Sequence, residues 1–297
     1  MLSPDEAVDV AKVLMGAYRA EYKTLHEIHE YVEGEPRRPY MPKDAKTEFR
    51  WIAEQSQVNY LPKVIDSHVS SLFVDGYRSP ETTDNLPAWS QWQSNRMDAR
   101  QTGVHFAALE YGFAFVSVLP GDKGPAWQPF SPRQMTCAYA DTVNDEWPEW
   151  ALTVTRKGDG LGVSLLGPEY RYLFTAKDVD SAPEFAGQER HGVPWTPVVR
   201  FVSEFVLDDA PEGLVRPLMP LQDQINLTTF NGLVAQVYGA FKQKWVTGFD
   251  VPKDESGRPI EPFKAAVSRL WVAEGEATKF GQLDRKSSCR ERVSSPV

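Results

Sequence analysis

Few residues in this chain are of types and spacings that could do chemistry. His26-Glu27-Ile28-His29-Glu30 places two imidazoles three residues apart, close enough on a helix to share a face and offer half of a metal site. The zinc-protease arrangement needs histidines four apart and a third ligand, and no third ligand follows at a useful spacing, so the run reads as a solvated helix face. His68 lies inside an apolar helical run and His105 precedes Phe106; both read as packing or surface histidines. Gly158-Asp159-Gly160-Leu161-Gly162 lacks the strand-before, helix-after setting of a phosphate loop and reads as a turn. Asp141, Asp145, Glu146 and Glu149 form an acidic loop whose spacing is not that of a calcium-binding EF-hand; a solvated turn is expected. Cys137 has no basic neighbour in sequence and is expected to be a buried structural thiol. No serine sits in a nucleophile elbow. The expectation is therefore a protein without catalytic residues, metal or cofactor.

Composition narrows the class further. With 297 residues, 41% of them hydrophobic, the chain can bury a substantial core in one or two domains. Nine Trp, fifteen Phe and eleven Tyr argue against disorder. The formal charge of −9 argues against a protein built to grip phosphates, since Lys and Arg form no run before the last dozen residues. Any contact with nucleic acid is expected to be loose or local. Two cysteines make neither a disulfide framework nor a zinc cage and fit a reducing compartment. The acidic N-terminus is no signal peptide, and the uncharged stretch Gln224 to Phe241 carries too many amides and hydroxyls to span a membrane. A soluble, intracellular protein with no membrane contact is expected.

The elements that must position any site are legible as periodicities. Ser3-Pro4-Asp5-Glu6 is a helix start, with Ser3 as N-cap and Glu6 closing a capping box, and a stripe from Val10 through Val32 carries that helix to Gly34. A proline-rich loop follows to Pro42. Val58, Leu61, Ile65, Val69 and Leu72 predict a helix ending at Asp75-Gly76. Trp89, Trp92, Phe106 and Leu109 predict one more helix from Pro87 to Gly112. Short β-rich runs come next: 113–119, 134–140, 150–156, 162–166, 170–175 and 197–202, with Lys157-Gly158-Asp159-Gly160 as a hairpin turn. Helices first and strands afterwards indicate an α+β fold rather than alternating α/β.

A long helix is predicted between Glu212 and Trp245. At about 100° per residue, Phe230, Val234, Val237, Phe241 and Trp245 fall on one side as a packing face, and the small residues Thr228, Gly232, Ala235 and Gly239 fall on the other. Two internal glycines cost a lone helix roughly 2 kcal/mol relative to alanine, a cost that makes sense if a neighbouring helix or DNA approaches that face closely. Lys242 and Lys244 near the end either meet phosphate or complement the helix dipole, and the dipole reading is preferred. Beyond Gly248 a Pro- and Gly-rich loop leads to a short strand over 267–272. The final segment, Asp284–Val297, reads as a foreign end rather than a natural tail: eight of its fourteen residues are Ser, Arg or Lys, unlike anything before it.

Several segments occur in the order of a known family. They are Asn59-Tyr60-Leu61-Pro62-Lys63-Val64-Ile65-Asp66 leading to Leu72-Phe73-Val74-Asp75-Gly76; Trp92-Gln93-Ser94-Asn95-Arg96-Met97-Asp98 leading to Ala108-Leu109-Glu110-Tyr111-Gly112-Phe113-Ala114-Phe115; Phe130-Ser131-Pro132-Arg133-Gln134-Met135; and Pro217-Leu218-Met219-Pro220-Leu221-Gln222-Asp223-Gln224-Ile225-Asn226, ending at Trp245-Val246-Thr247-Gly248. In this order, over about residues 58–279, the chain resembles the SPP1-like portal proteins of tailed bacteriophages, especially those of actinobacterial phages. The resemblance implies a ring, usually of twelve copies, at one capsid vertex, passing double-stranded DNA non-specifically. Its implied partners are other copies of itself, the terminase large subunit, the head–tail adaptor, and capsid and scaffold proteins. It implies a wing over residues 1–216, with helices to 112 and strands over 113–205, a stem helix over 217–247 and a clip over 248–283. The oligomer- or tunnel-facing side of that stem is then Thr228, Gly232, Ala235, Gly239 and Lys242. Family members continue through a second stem helix, a tunnel loop and a crown, and this sequence stops before them.

Two other classes compete. Trp147-Pro148-Glu149-Trp150 beside a strand-rich block suggests a carbohydrate-binding or other recognition module, which would need aromatics on one open face. A hydrolase using the acidic loop is disfavoured because no base pairs with a nucleophile. Neither explains a long helix with opposed large and small faces.

Overall fold

The computed structural model describes residues 1–36, 47–78, 87–122, 124–207, 211–240, 243–247 and 279–283. The chain divides into two compact units, one formed by Met1–Pro39 with Val58–Ile225, the other by Tyr40–Gln57 with Asn226–Val297.

In the first unit, helix α1 spans Pro4–Glu33 and starts as the sequence predicts. The Ser3 hydroxyl accepts the Glu6 N–H, the Glu6 carboxylate accepts the Ser3 N–H at 2.8 Å, and Pro4 occupies the first turn, where its missing N–H costs nothing. Gly34 ends the helix at φ 89°, a conformation that side-chain-bearing residues adopt only with strain. This helix serves two cores. Ala7, Ala11, Leu14, Met15 and Tyr18 pack on a sheet through Leu152, Val163, Leu165, Tyr172 and Phe174. Further along, Leu25, Ile28, Tyr31 and Val32 pack against Leu61, Ile65 and Val69 of α3 (Leu61–Val69) and Tyr111 of α5 (Met97–Tyr111).

The stripe Val58 to Leu72 overstates α3: Leu72 lies beyond its end and is exposed. The single helix expected between Pro87 and Gly112 is two, α4 (Pro87–Ser94) and α5. The break falls at Arg96, which is left-handed at φ 55°. The neighbouring Asn95 supplies the reason: its side chain donates to the Pro125 carbonyl and accepts the Trp127 N–H, tying the chain to a strand where a further helical turn would otherwise run.

The described strands of the first unit form two antiparallel sheets. One has the order β2-β1-β8, from β1 (Phe113–Gly121), β2 (Gly124–Phe130) and β8 (Val198–Val202). The other is the meander β3-β4-β5-β6-β7, from β3 (Met135–Ala138), β4 (Trp150–Lys157), β5 (Gly160–Leu166), β6 (Tyr170–Ala176) and β7 (Glu184–Arg190). The predicted hairpin turn joins β4 to β5, with Lys157 opposite Gly160. Strands β2 and β7 were not legible. Both are edge strands, mostly exposed, so neither needs an apolar alternation, and β2 tolerates Pro125 and Pro129 because an edge leaves N–H groups unpaired. Helices followed by antiparallel strands and then a later helix make the fold α+β.

In the second unit, α2 (Thr47–Gln55) has no counterpart in the sequence reading. Strands β9 (Gln243–Thr247) and β10 (Lys279–Leu283) pair antiparallel, Trp245 opposite Gly281. The long helix, α6, covers Val215–Ala240 and passes from one unit into the other after Ile225. It stops short of its predicted end, and Trp245 stands in β9 instead of on the helical packing face. Trp245, Val246 and Thr247 in succession favour a pleated strand once a ladder partner exists. The strand predicted over 267–272 and the segment 284–297 lie outside the described residues. No helix among the described residues is long and apolar enough to cross a membrane.

Candidate subunit-contact helix

Most of the residues singled out for chemistry are occupied by structure; His105 differs, its Nδ1 being buried with no hydrogen-bond partner. His26 Nε2 lies 3.4 Å from Glu30 one turn away. His29 turns inward, its Nδ1 3.3 Å from both the Glu110 carboxylate and the Tyr111 hydroxyl. His68 Nδ1 meets the Val64 carbonyl one turn back. Asp141 accepts the Val143 and Asn144 N–H groups and the Asn144 amide, while Asp145 accepts the Asp141 N–H, so these two carboxylates close their own turn. Cys137 is half-buried rather than buried as expected, and desolvation pushes its thiol well above its ordinary range, opposed by the nearby charge of Arg200. No group of three or more potential metal ligands occurs among the described residues.

Construction is concentrated at the root of α6. Gly112 caps α5 at φ 101°, and its carbonyl accepts the Ser203 N–H at 2.9 Å. A side chain on Gly112 would overlap the Pro211 carbonyl, and one on Gly213 would overlap the Glu110 carbonyl. Two glycines therefore allow 211–214 to lie directly on 110–112. The Leu214 N–H donates to the Leu109 carbonyl at 2.7 Å and the Ser203 hydroxyl to the Glu212 carbonyl at 3.0 Å. Val215, 1% exposed, then enters the helical core.

Two turns on, Gln222 is buried and makes two backbone bonds: its carbonyl accepts the Tyr60 N–H at 3.2 Å and its amide donates to the Val58 carbonyl at 2.7 Å. The Tyr31 hydroxyl donates to the Asp223 carboxylate at 2.9 Å. Asn59 donates to the Val32 carbonyl, the last turn of α1. Two sequence positions about 160 residues apart, the segment 58–60 and Gln222, thus meet. Periodicity cannot reveal this, because the bonds run to backbone groups that every residue possesses. Pro220 falls in the second turn of α6 and removes the bond to the Arg216 carbonyl, so the root leans on these external bonds.

Past the root the two faces differ. Thr228, Gly232 and Ala235 are exposed, and a Cβ on Gly232 would meet nothing within 4 Å. Phe230, Val234 and Val237 are half-buried. Gly239 is within the helix, whereas Phe241 and Lys242 lie outside the described residues. The structure therefore sets four of the named residues, Gly239 and three exposed ones, on α6 with three larger ones, and moves Trp245 off it.

Two acids near the root, Glu110 on α5 and Glu21 on α1, are partly desolvated. Burial raises the Glu110 carboxyl, opposed by hydrogen bonds from Tyr111 and His29, and burial raises Glu21 against the hydroxyl of Thr136. Both acids hold their protons more tightly folded than unfolded. The stability this contributes is fully present below the unfolded value near pH 4.3 and is lost as pH rises through the raised folded values. Relative to the parent, a Glu21→Gln/Glu110→Gln protein should therefore gain in melting temperature as pH rises from about 4 toward neutrality. A difference that stays constant across that range contradicts the assignment.

The family described as phage portal protein, SPP1 Gp6-like, has a profile that matches residues 11–283. That span contains the root, the whole of α6 and all ten strands among the described residues. No curated protein matches the chain.

Proposed function

Because the chain belongs to the SPP1 Gp6-like family of phage portal proteins, we propose that it is a ring subunit at one capsid vertex, through which double-stranded DNA is packaged and ejected. The ring has twelve copies, and its outer surfaces receive the terminase large subunit, the head–tail adaptor, and capsid and scaffold proteins. It is a structural conduit of the virion, assembled in the host cytoplasm, and DNA movement is driven by the partner motor. Residues up to 216 form the wing, 217–247 the stem and 248–283 the clip.

The observation that carries the reading is α6 itself, a helix rooted by backbone bonds whose small-residue face is open. A head-to-tail ring buries two unlike faces of every subunit, and a helix with Thr228, Gly232, Ala235 and Gly239 along one side lets a neighbour or the DNA come close. The net charge of −9 suits a wall past which DNA slides, since dense phosphate contacts would hold it. Native mass spectrometry and negative-stain images of the purified protein test this: closed rings are expected, and Gly232→Leu should reduce the ring fraction while leaving the monomer folded. A protein that stays monomeric at every concentration, or a Gly232→Leu variant that assembles normally, overturns the reading.

A further inference from the structure

One surface of the first unit is built for an occupant that the stem reading does not explain. Pro120 and Pro125 from the β1–β2 hairpin, Trp147 from the β3–β4 loop, and Val193, Trp195 and Pro197 from the β7–β8 connection line a groove of about 460 Å³. The indoles of Trp147 and Trp195 lie 5.6 Å apart, tilted by 34°, and Trp195 is 47% exposed. The two loops are held in place by a 2.7 Å bond from the Thr196 hydroxyl to the Glu149 carbonyl. The groove is therefore a fixed feature rather than a chance of side-chain placement.

Its lining chooses between ligands. Sugars need hydroxyl partners beside an aromatic face, and among the described residues no charged or amide side chain lines this groove. An open pair of indoles among prolines is instead the recognition mode for proline rings carried on an extended polyproline helix, which arrives with little entropy left to lose. The chain contains a sequence of that composition. Arg37-Arg38-Pro39-Tyr40-Met41-Pro42 sets two prolines three residues apart, the repeat of that helix, behind two arginines. Residues 37–42 lie outside the described residues. Pro36 is buried in its own subunit, which leaves Pro39 and Pro42 as the docking pair. Glu146 and Glu149, both exposed, flank Trp147 and complement Arg37 and Arg38.

We propose that this tryptophan groove binds the Pro39-x-x-Pro42 segment of a second copy of the chain, as a contact between copies separate from α6. The proposal extends the ring reading to a second interface, but its test does not need rings.

Titrating the full chain into a fluorescein-labelled peptide of residues 35–45 and following anisotropy should give saturable binding. Trp195→Ala should weaken it about 30-fold, the scale of a buried aromatic anchor. A peptide with Pro39→Ala and Pro42→Ala should bind no better than a scrambled one. Glu146→Lys/Glu149→Lys, which leaves both indoles in place, should weaken the native peptide and recover binding to an Arg37→Glu/Arg38→Glu peptide. Absence of saturation by the native peptide, equal binding by the alanine or scrambled peptides, or selective binding of oligosaccharides at the same indoles each overturns the proposal. Rings that form normally alongside any of these results leave the portal reading intact, and peptide binding by a protein that forms no rings separates the two the other way.

Discussion

Gly213→Ala is expected to lower the melting temperature by about 10 °C. Its Cβ would collide with the Glu110 carbonyl and approach the Gly112 nitrogen, both backbone, so no rotamer change relieves it. Either 211–214 lifts off α5, losing the Leu214 to Leu109 and Ser203 to Glu212 bonds, or α5 gives up its terminal geometry. Overpacking against immovable atoms costs about 3 kcal/mol or more, and a unit of this size loses about 2–4 °C per kcal/mol. Calorimetry on the purified variant measures it. A second result is expected with it: hydrogen exchange at Val215 to Asp223 accelerates far more than exchange in the meander sheet. A variant that melts within 2 or 3 °C of the parent would mean that the root is looser than its contacts indicate.

Leu165→Ala is the second large effect, expected at about 2–5 kcal/mol. Leu165 is fully buried on β5, in the cluster where α1 crosses the meander, with Leu152 and Tyr172 on the flanking strands. Truncation leaves a void in the cluster that Ala7 and Ala11 of α1 share with the sheet. Those alanines are too short to fill it and α1 cannot slide inward, because its far half is fixed in a second core. The measured loss should fall in the upper half of that range. A value below about 1 kcal/mol would show that the site collapses freely. Chemical denaturation with an unchanged m-value would assign the change to the folded state.

What could be read from the sequence is what local physics determines. The Ser3–Glu6 capping box, the glycine ends at Gly34 and Gly112, the Lys157–Gly160 turn and the central strands β1, β4, β5 and β6 all follow from propensities and apolar spacing within a few residues. What was missed depends on long-range partners. Edge strands β2 and β7 carry no buried alternation, Arg96 breaks a helix because Asn95 reaches a distant strand, and Trp245 leaves the helix for a pairing with Gly281. The contrast of small and large residues along 228–239 was legible, but the root was not. Gln222 and Asp223 bind a backbone segment and a tyrosine hydroxyl far away in sequence, and a glutamine in a helix announces nothing.

The dual footing of α1 has a mechanical corollary. Thirty residues make a rod about 45 Å long, clamped at one end by sheet side chains and at the other by the helices that hold Val215. Such a strut transmits axial load without bending much, because close-packed side chains on both footings resist shear. A push on the meander sheet by whatever docks there would therefore reach the base of α6 as a displacement of the strut's far end, and the base would feel contact made far from it.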